Sequence, residues 1–291
     1  FSKITNPSEE ILKALENNVN KDTKDMAEAF LEKCLRISDC VALVLNKTIL
    51  SSSEYEATRN MLRDMKIDTV IDFGRYGFNG VSIETMCLIV YPNAAPGKTS
   101  VRNTKYNMVL EQRQSYITDR QYPSFLIYRD DFFDSVASRL QFGVFRVFRD
   151  RQITKKLTTA APSANSIWVV KAKNINDDGS GVSHIDNYDV YIDLDVAKGT
   201  NAFSYVGRED VYLTPNMTYN PRVVRNDFAA IADGSVAVLI PKVPMELSER
   251  QRLFFSTDEY RRFYRVARNL STQSINVDAN SVFFYGVLKN E

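Results

Sequence analysis

The chain has 291 residues, 44% of them apolar, with 37 Lys and Arg against 36 Asp and Glu, giving a formal net charge of +1. That length and apolar fraction suit one large globular domain or two ordinary ones, and near-neutrality excludes a protein that coats nucleic acid with its whole surface, so any such binding must come from a local patch. No apolar run approaches the about eighteen residues of a membrane span, Phe1–Thr5 lacks the charged and apolar regions of a signal peptide, and Cys34, Cys40 and Cys87 have no metal-ligand spacing, so the expectation is a reduced cytoplasm with no membrane partner and no metal site.

In chain order, Phe1 to Pro7 is a short strand-like segment ending in Asn6-Pro7, a pair common in turns. Glu9 to Leu15 reads as a short helix and Asn17 to Asp22 as a polar break. Asp25, with Glu28 three residues on, is placed to cap a helix whose apolar stripe, Met26, Phe30, Cys34 and Ile37, should face the core. Val41–Leu45 is an apolar run of buried-strand type. Ser53 with Glu56 makes a capping box for a helix bearing Tyr55, Thr58, Leu62 and Met65, and Asp68–Phe73 is the next strand. A strand, helix and strand of this length imply parallel pairing with a right-handed crossover. Gly74, Gly77, Asn79 and Gly80 then supply a connection too short for another crossover, so Ser82–Val90 should return antiparallel beside its neighbour.

Pro92–Ser100 is rich in turn formers and marks a boundary: a first domain over residues 1–95, a linker over 96–123 and a second domain over 124–291. Tyr106–Gln114 and Tyr116–Asp119 are open between strand and connection. Phe125–Tyr128 reads as a strand, and Asp130–Leu140 as a helix with Phe133, Val136, Ala137 and Leu140 inward. Phe145–Lys156 interleaves aromatics with Arg146, Arg149, Arg151, Lys155 and Lys156 against the single acid Asp150. A second basic strand, Trp168–Asn174, adds Lys171, Lys173 and Asn174. Clustered Lys and Arg bind backbone phosphates, and Arg, Gln and Asn, here including Gln152, read base edges; the alternative is a pair of ordinary strands with a solvated basic face. The acidic run Asp186, Asp189, Asp193 and Asp195 lacks calcium-loop spacing, and His184 has no nucleophile context. Glu209–Arg222, followed by Arg225, leads to Ile231–Ile240, where Asp233-Gly234 fits a hairpin turn. Ser256 with Glu259 caps a helix with Tyr260, Phe263, Tyr264 and Ala267 inward, while Arg261, Arg265 and Arg268 share a face that either touches phosphate or is solvated. A Ser274–Asp278 segment and a strand over Ser281–Val287 follow, with no internal repeat.

Within this pattern Val70–Thr85 resembles the "IDFG…GF.G..IET" stretch of the adenine-specific DNA methyltransferases of restriction-modification systems, and Lys24–Lys33 resembles their "DLY..F.E" helix. The likeness covers roughly the first third of the chain closely and the rest loosely; the turn at Asp233 is similar to the "DGSV" turn of specificity subunits. The resemblance implies an α/β fold: a partial Rossmann-like methyltransferase sheet with an antiparallel last strand, then a mixed α+β target-recognition domain. It implies that Asn6 and Pro7 match the start of the catalytic Asn-Pro-Pro-aromatic loop, whose Asn amide oxygen and Pro carbonyl accept hydrogen bonds from the amino group under attack; here Ser8 and Glu9 replace the second Pro and the aromatic. It further implies a parent enzyme that transfers methyl from S-adenosylmethionine to an adenine amino group, with this chain recognising double-stranded DNA through Arg146, Arg149, Arg151, Gln152, Lys155, Lys156, Lys171, Lys173, Asn174, Arg222 and Arg225. The family's Gly-containing cofactor turn has no counterpart upstream of Asn6, so the cofactor is not expected to bind this chain alone. The chain then reads as the carboxyl-terminal part of a larger enzyme, with the amino-terminal catalytic part or a restriction subunit as partner. The alternative is a non-catalytic DNA-specificity module that works with a separate methylase subunit. A hydrolase or metalloenzyme lacks a ligand cluster.

Overall fold

The computed structural model describes residues 4–80, 82–271 and 276–289 and divides the chain into two compact units, the first formed by residues 1–130 and 266–273, the second by 131–265 and 274–291. Phe1–Lys3, Val81 and part of the expected 274–278 segment lie outside the described residues. Helices and several sheets are mixed, and none of the sheets closes into a barrel among the described residues.

The first unit runs α1 (Glu9–Leu15), α2 (Met26–Ile37), β1 (Val41–Asn46), α3 (Glu56–Arg63), β2 (Lys66–Gly74), β3 (Thr85–Tyr91), β4 (Lys98–Asn103), β5 (Met108–Arg113) and α4 (Gln114–Ile117). Its sheet has the order β1-β3-β2-β4-β5. β3 returns antiparallel, as the short glycine loop requires, but it inserts between β1 and β2 and pairs with both. The two earlier strands therefore run parallel without being neighbours. The segment expected to be a linker supplies β4, parallel to β2, and β5, antiparallel to β4. Thr99 and Val101, beyond the turn formers at its start, are fully buried.

Two helices of this unit differ from their sequence patterns. On α2 the apolar stripe is outside, with Met26, Phe30 and Ile37 49%, 57% and 68% exposed, while Glu28, Leu31, Glu32 and Leu35 face inward. The inversion has a polar cause: Glu32 accepts the backbone N–H groups of Val19 and Asn20, both at 2.7 Å, and Glu28 accepts the Thr58 hydroxyl at 2.6 Å. Burial of charge is tolerated where such donors are supplied. For α3 no side-chain cap forms, and Ser53 lies in a 3-10 turn before it. Phe125–Tyr128 is buried but irregular rather than a strand, because its backbone finds partners outside any ladder: Phe125 N donates to Leu50 O, Leu126 N to Ile117 O and Ile127 N to the Asn269 side chain.

Beyond Asp130 the elements are α5 (Asp131–Ser138), β6 (Leu140–Gln141), β7 (Phe145–Arg149), β8 (Thr158–Thr159), β9 (Ser166–Val170), β10 (Val190–Asp193), α6 (Leu194–Lys198), β11 (Tyr212–Pro215), β12 (Val224–Arg225), β13 (Ile231–Ala232), β14 (Val236–Pro241), α7 (Glu249–Phe254), α8 (Asp258–Ala267), α9 (Ala279–Phe283) and β15 (Val287–Leu288). They make the sheets β12-β11-β14-β7 and β13-β9-β10-β8, with a short β15-β6 pair. On β9, Val170 joins one buried cluster with Leu213, Val236 and Val238, while Val169 joins another with Ile192, Ala197 and Ile231. Successive side chains on a strand point to opposite faces, so this sheet has a core on each side.

Several local expectations change here. Asp233-Gly234 does not close a hairpin: β13 pairs with β9, β14 pairs with β11 and β7, and the turn carries the chain from one sheet to the other. The expected second basic strand ends at Val170, and Ala172–Asn174 is a 3-10 turn closed by Asn174 Oδ1 accepting Lys171 N. The first three residues of Ser281–Val287 belong to α9, since Asp278 caps it by accepting Ser281 N, only Val287 enters a strand, and the aromatic run packs into a core where Phe284 and Tyr285 are buried. Thr257, not Ser256, accepts Tyr260 N at the start of α8. The inward set Tyr260, Phe263, Tyr264 and Ala267 is buried as the spacing predicts.

The first unit is pinned by ions at its centre. Lys47 Nζ donates to Asp72 Oδ2 at 2.6 Å, with the two side chains 4% and 1% exposed. The same oxygen accepts the Tyr128 hydroxyl at 2.6 Å and Asn103 Nδ2 at 3.3 Å, while Oδ1 accepts Gly74 N. Removing one partner of a buried pair leaves an uncompensated charge and costs about 3–5 kcal/mol. Lys47→Met should therefore lose stability of that order in urea denaturation, and adding Asp72→Asn should restore part of it. A loss under about 1 kcal/mol for the single variant would show that water reaches this cluster.

Candidate functional site

β7 is an edge strand, paired along Phe145–Arg149 with β14. Phe145 is buried and Arg146 exposed, in keeping with the strand period, and Arg149 is half-buried. The chain then turns at Asp150, whose Oδ2 accepts the backbone N–H of Gln152 at 2.9 Å and of Ile153 at 2.6 Å. Against the Asp150 carbonyl lies Gly234, where a β-carbon would stand only 2.7 Å from that oxygen. Arg151, Gln152, Lys155 and Lys156 are exposed on the far side of the turn. Among the described residues Arg146, Arg149, Arg151, Lys155 and Lys156 form no ion pair. Burial first, and the like charge of Arg151 next, lower the pKa of Arg149, with Asp278 opposing. Cations that form no ion pair within the protein favour an external anion.

The remaining sequence-predicted cations and amides have other occupations. Lys171 Nζ sits 3.6 Å from the Tyr188 ring centroid and donates to the Tyr188 carbonyl; Lys173, exposed, lies 5.4 Å from the same ring. Asn174 is fully buried, donating to Ser183 O and to Asp189. Arg222 is 7% exposed, donates to the carbonyls of Ile175, Asn220 and Ala172, and pairs with Asp177 Oδ1 at 3.2 Å. Arg225 pairs with Glu209 at 2.8 Å and Glu246 at 2.9 Å. Thus Asn174, Arg222 and Arg225 are committed to the fold and do not join the unpaired cluster. The two basic segments do meet at one turn: Asp233 N donates to Val170 O, and Ala172 N to Ser235 Oγ at 2.9 Å. Sequence reasoning missed Asp150, readable as an Asp that turns its own backbone, and Asn201, whose N–H donates to Gln152 Oε1 at 2.8 Å across a separation with no local signal.

In the first unit Asn6, with φ of 49°, and Pro7 border a cleft of about 570 Å³ that also takes in Lys21, Asp25 and Glu28. Ser8 follows as the cap of α1, accepting Ile11 N at 3.4 Å. Asp25 accepts the Tyr55 hydroxyl at 2.8 Å, and burial raises the Tyr55 pKa. Burial raises Glu28 to about 8 despite the Thr58 hydroxyl, with the neighbouring Glu32 adding to the rise. A cleft of this size falls in the range of small-molecule sites. The first glycine of the chain is Gly74, and no glycine turn borders the cleft to let backbone amides approach a ligand carboxylate. Among the described residues no group of three or more His, Cys, Asp or Glu is placed to hold a metal, and no helix is long and apolar enough to cross a membrane.

No protein-family model and no curated protein matches the chain. Solved structures resemble it at low identity. It is similar to the type IIG restriction endonuclease BpuSI (10% identity, 100% of this chain and 46% of that chain, TM-score 0.39). It is also similar to the type IIL restriction-modification enzyme MmeI in complex with DNA (11% identity, 80% and 38%, TM-score 0.49), and to a nuclease-deletion mutant of the type ISP enzyme LlaGI in complex with a DNA substrate mimic (8% identity, 94% and 37%, TM-score 0.45). The chain spans less than half the length of each of these proteins. At such scores the likenesses support no inference about function.

The buried Glu28 gives the cleft a measurable signature. Its pKa is about 8 in the folded state against 4.5 ordinarily, so the folded chain holds a proton that the unfolded chain has released. The associated stability is fully present below about pH 4.5 and is lost as pH rises through about 8, on the order of a few kcal/mol. Glu28→Gln, which keeps the shape without the charge, should be more stable than the wild type at pH 9 and have a flatter denaturation midpoint between pH 5 and 9. Identical pH slopes for the two proteins would mean that Glu28 is ionised and solvated.

Proposed function

We propose that the second unit binds double-stranded DNA as the target-recognition part of a restriction-modification enzyme whose parent activity is methyl transfer from S-adenosylmethionine to an adenine amino group. The observation that carries the DNA-binding reading is the set of five cations on β7 and the turn after it, unpaired in a chain whose net charge is +1. Elsewhere in this unit Arg208, Arg225 and Lys198 are matched by carboxylates, whereas these five are not. A local patch of this kind neutralises phosphates and positions a protein on a duplex.

The methyltransferase reading rests on the resemblance of Val70–Thr85 and Lys24–Lys33. The strand directions, though not a terminal place for the returning strand, agree with it: β1 and β2 are parallel, and β3 returns antiparallel to both from a position between them. The Asn6-Pro7 pair at the cleft is the proposed remnant of the catalytic loop. Because no glycine turn borders the cleft, the cofactor is assigned to residues outside this chain, contributed by an amino-terminal catalytic part or a separate methylase subunit. That same lack favours the second reading, a specificity module without catalysis of its own.

A salt titration of duplex binding tests the shared claim. With about four or five phosphate contacts, the logarithm of affinity should fall against the logarithm of salt with a slope of roughly −3.6 to −4.5. The double variant Lys155→Ala/Lys156→Ala should flatten that slope by about two units if both contact phosphate. Arg225→Ala should leave it unchanged, since that guanidinium is already paired. No binding at low salt, or an unaltered slope in the double variant, would remove the interface from this turn.

A further inference from the structure

Gln152 is fixed in one sense. Its Oε1 accepts the Asn201 backbone N–H at 2.8 Å, and because a backbone N–H can only donate, the oxygen of the amide must be the atom that faces it. Nε2 makes no hydrogen bond among the described residues, and the residue is exposed. What remains available to a ligand is therefore a donor. The usual bidentate pairing of Gln with adenine needs both amide atoms, one to accept from N6 and one to donate to N7. The bond to Asn201 withdraws the acceptor.

The neighbours of Gln152 have the same polarity. Arg151 is exposed, unpaired and unable to accept, and Arg149 and Lys155 likewise only donate. The turn that presents them is rigidly seated, with two backbone N–H groups on Asp150 Oδ2 and Gly234 packed against the Asp150 carbonyl. In the major groove guanine offers two adjacent acceptors, N7 and O6. Adenine sets a donor beside its single acceptor, cytosine offers a donor, and thymine pairs one acceptor with a methyl group.

We infer that Arg151 and Gln152 read guanine in the major groove, through N7 and O6, and reject adenine at that position. This rests on the reading of the second unit as a DNA-binding unit. It also separates two tasks, because the base read by this turn is then not the adenine proposed as methyl acceptor. Gln152 is the specificity-determining residue, and Asn201 is the positioning residue that makes its amide a donor.

The experiment is selection of bound duplexes from a random library by the full chain. Binding of the selected duplex is then measured with guanine, or 7-deazaguanine in its place, to the wild type, Arg151→Ala, Gln152→Ala and Gln152→Glu. The expected result is a fixed guanine whose 7-deaza replacement weakens wild-type binding roughly 5- to 150-fold, with a smaller effect in Arg151→Ala or Gln152→Ala. Gln152→Glu keeps the bond to Asn201 but presents an acceptor, so selection should move from guanine toward cytosine. A fixed adenine, or a 7-deaza effect equal in all four proteins, overturns the inference. Binding without base preference also overturns it while leaving the DNA-binding reading standing; no DNA binding at all overturns both.

Discussion

Gly234 lies so close to the Asp150 carbonyl that no side chain fits between them, and the arrangement of the second unit depends on that approach. A β-carbon at 234 would meet the oxygen at 2.7 Å, a distance at which backbone must move. Around this contact the turn is tied on every side. Asp233 Oδ1 accepts the N–H and hydroxyl of Ser235, Ser235 Oγ accepts Ala172 N, and Asn216 Nδ2 donates to Gly234 O. The turn thus joins the end of β7, the end of β9 and the passage from β13 to β14. Exposed Arg and Lys side chains ordinarily lose much rotamer freedom when they bind. Here the backbone that carries Arg149, Arg151 and Gln152 is already set by buried groups, so the ordering left to binding is confined to side chains.

The first unit manages charge differently. Lys47, Asp72 and Glu84 are buried together, and the Asp25–Glu28–Glu32 group lies behind the cleft with Asn20, Tyr55 and Thr58 supplying donors. Buried ion pairs are weak sources of net stability and strong sources of geometry. Asp72 accepts Gly74 N, and Asn103 Oδ1 accepts Tyr106 N, so one network fixes both the loop after β2 and the turn after β4. Burial raises the Glu28 pKa to about 8, which eases the placing of a carboxyl beside a cleft without a cation.

Much of this was legible in the sequence where the cause is local. The strand at Val41–Leu45, the helix at Glu9–Leu15 and the inward face of α8 were readable locally, and the antiparallel return of β3 follows from loop length. That strand is buried on one face only, with Ala42 and Val44 exposed. What failed depends on distant partners. The polarity of α2 is reversed by donors from residues 19, 20 and 58; the insertion of β3 between β1 and β2 is a choice of neighbour that no local pattern encodes. Of the basic residues, sequence picked out the cluster around β7 but not its composition. Arg225 meets acids 16 and 21 residues away, and Arg222 is held by backbone carbonyls and by Asp177. Charge alone does not distinguish a free guanidinium from one already spent.

The central claim is that duplex DNA meets the chain at the turn after β7. Photocrosslinking of the full chain to a duplex carrying 5-iododeoxyuridine, with the attached peptides mapped by mass spectrometry, tests it most directly. The account predicts crosslinks within residues 145–156 and around 171–173, suppressed by high salt. Crosslinks confined to the α8 face that carries Arg261 and Arg265, with none near Arg151, would contradict it.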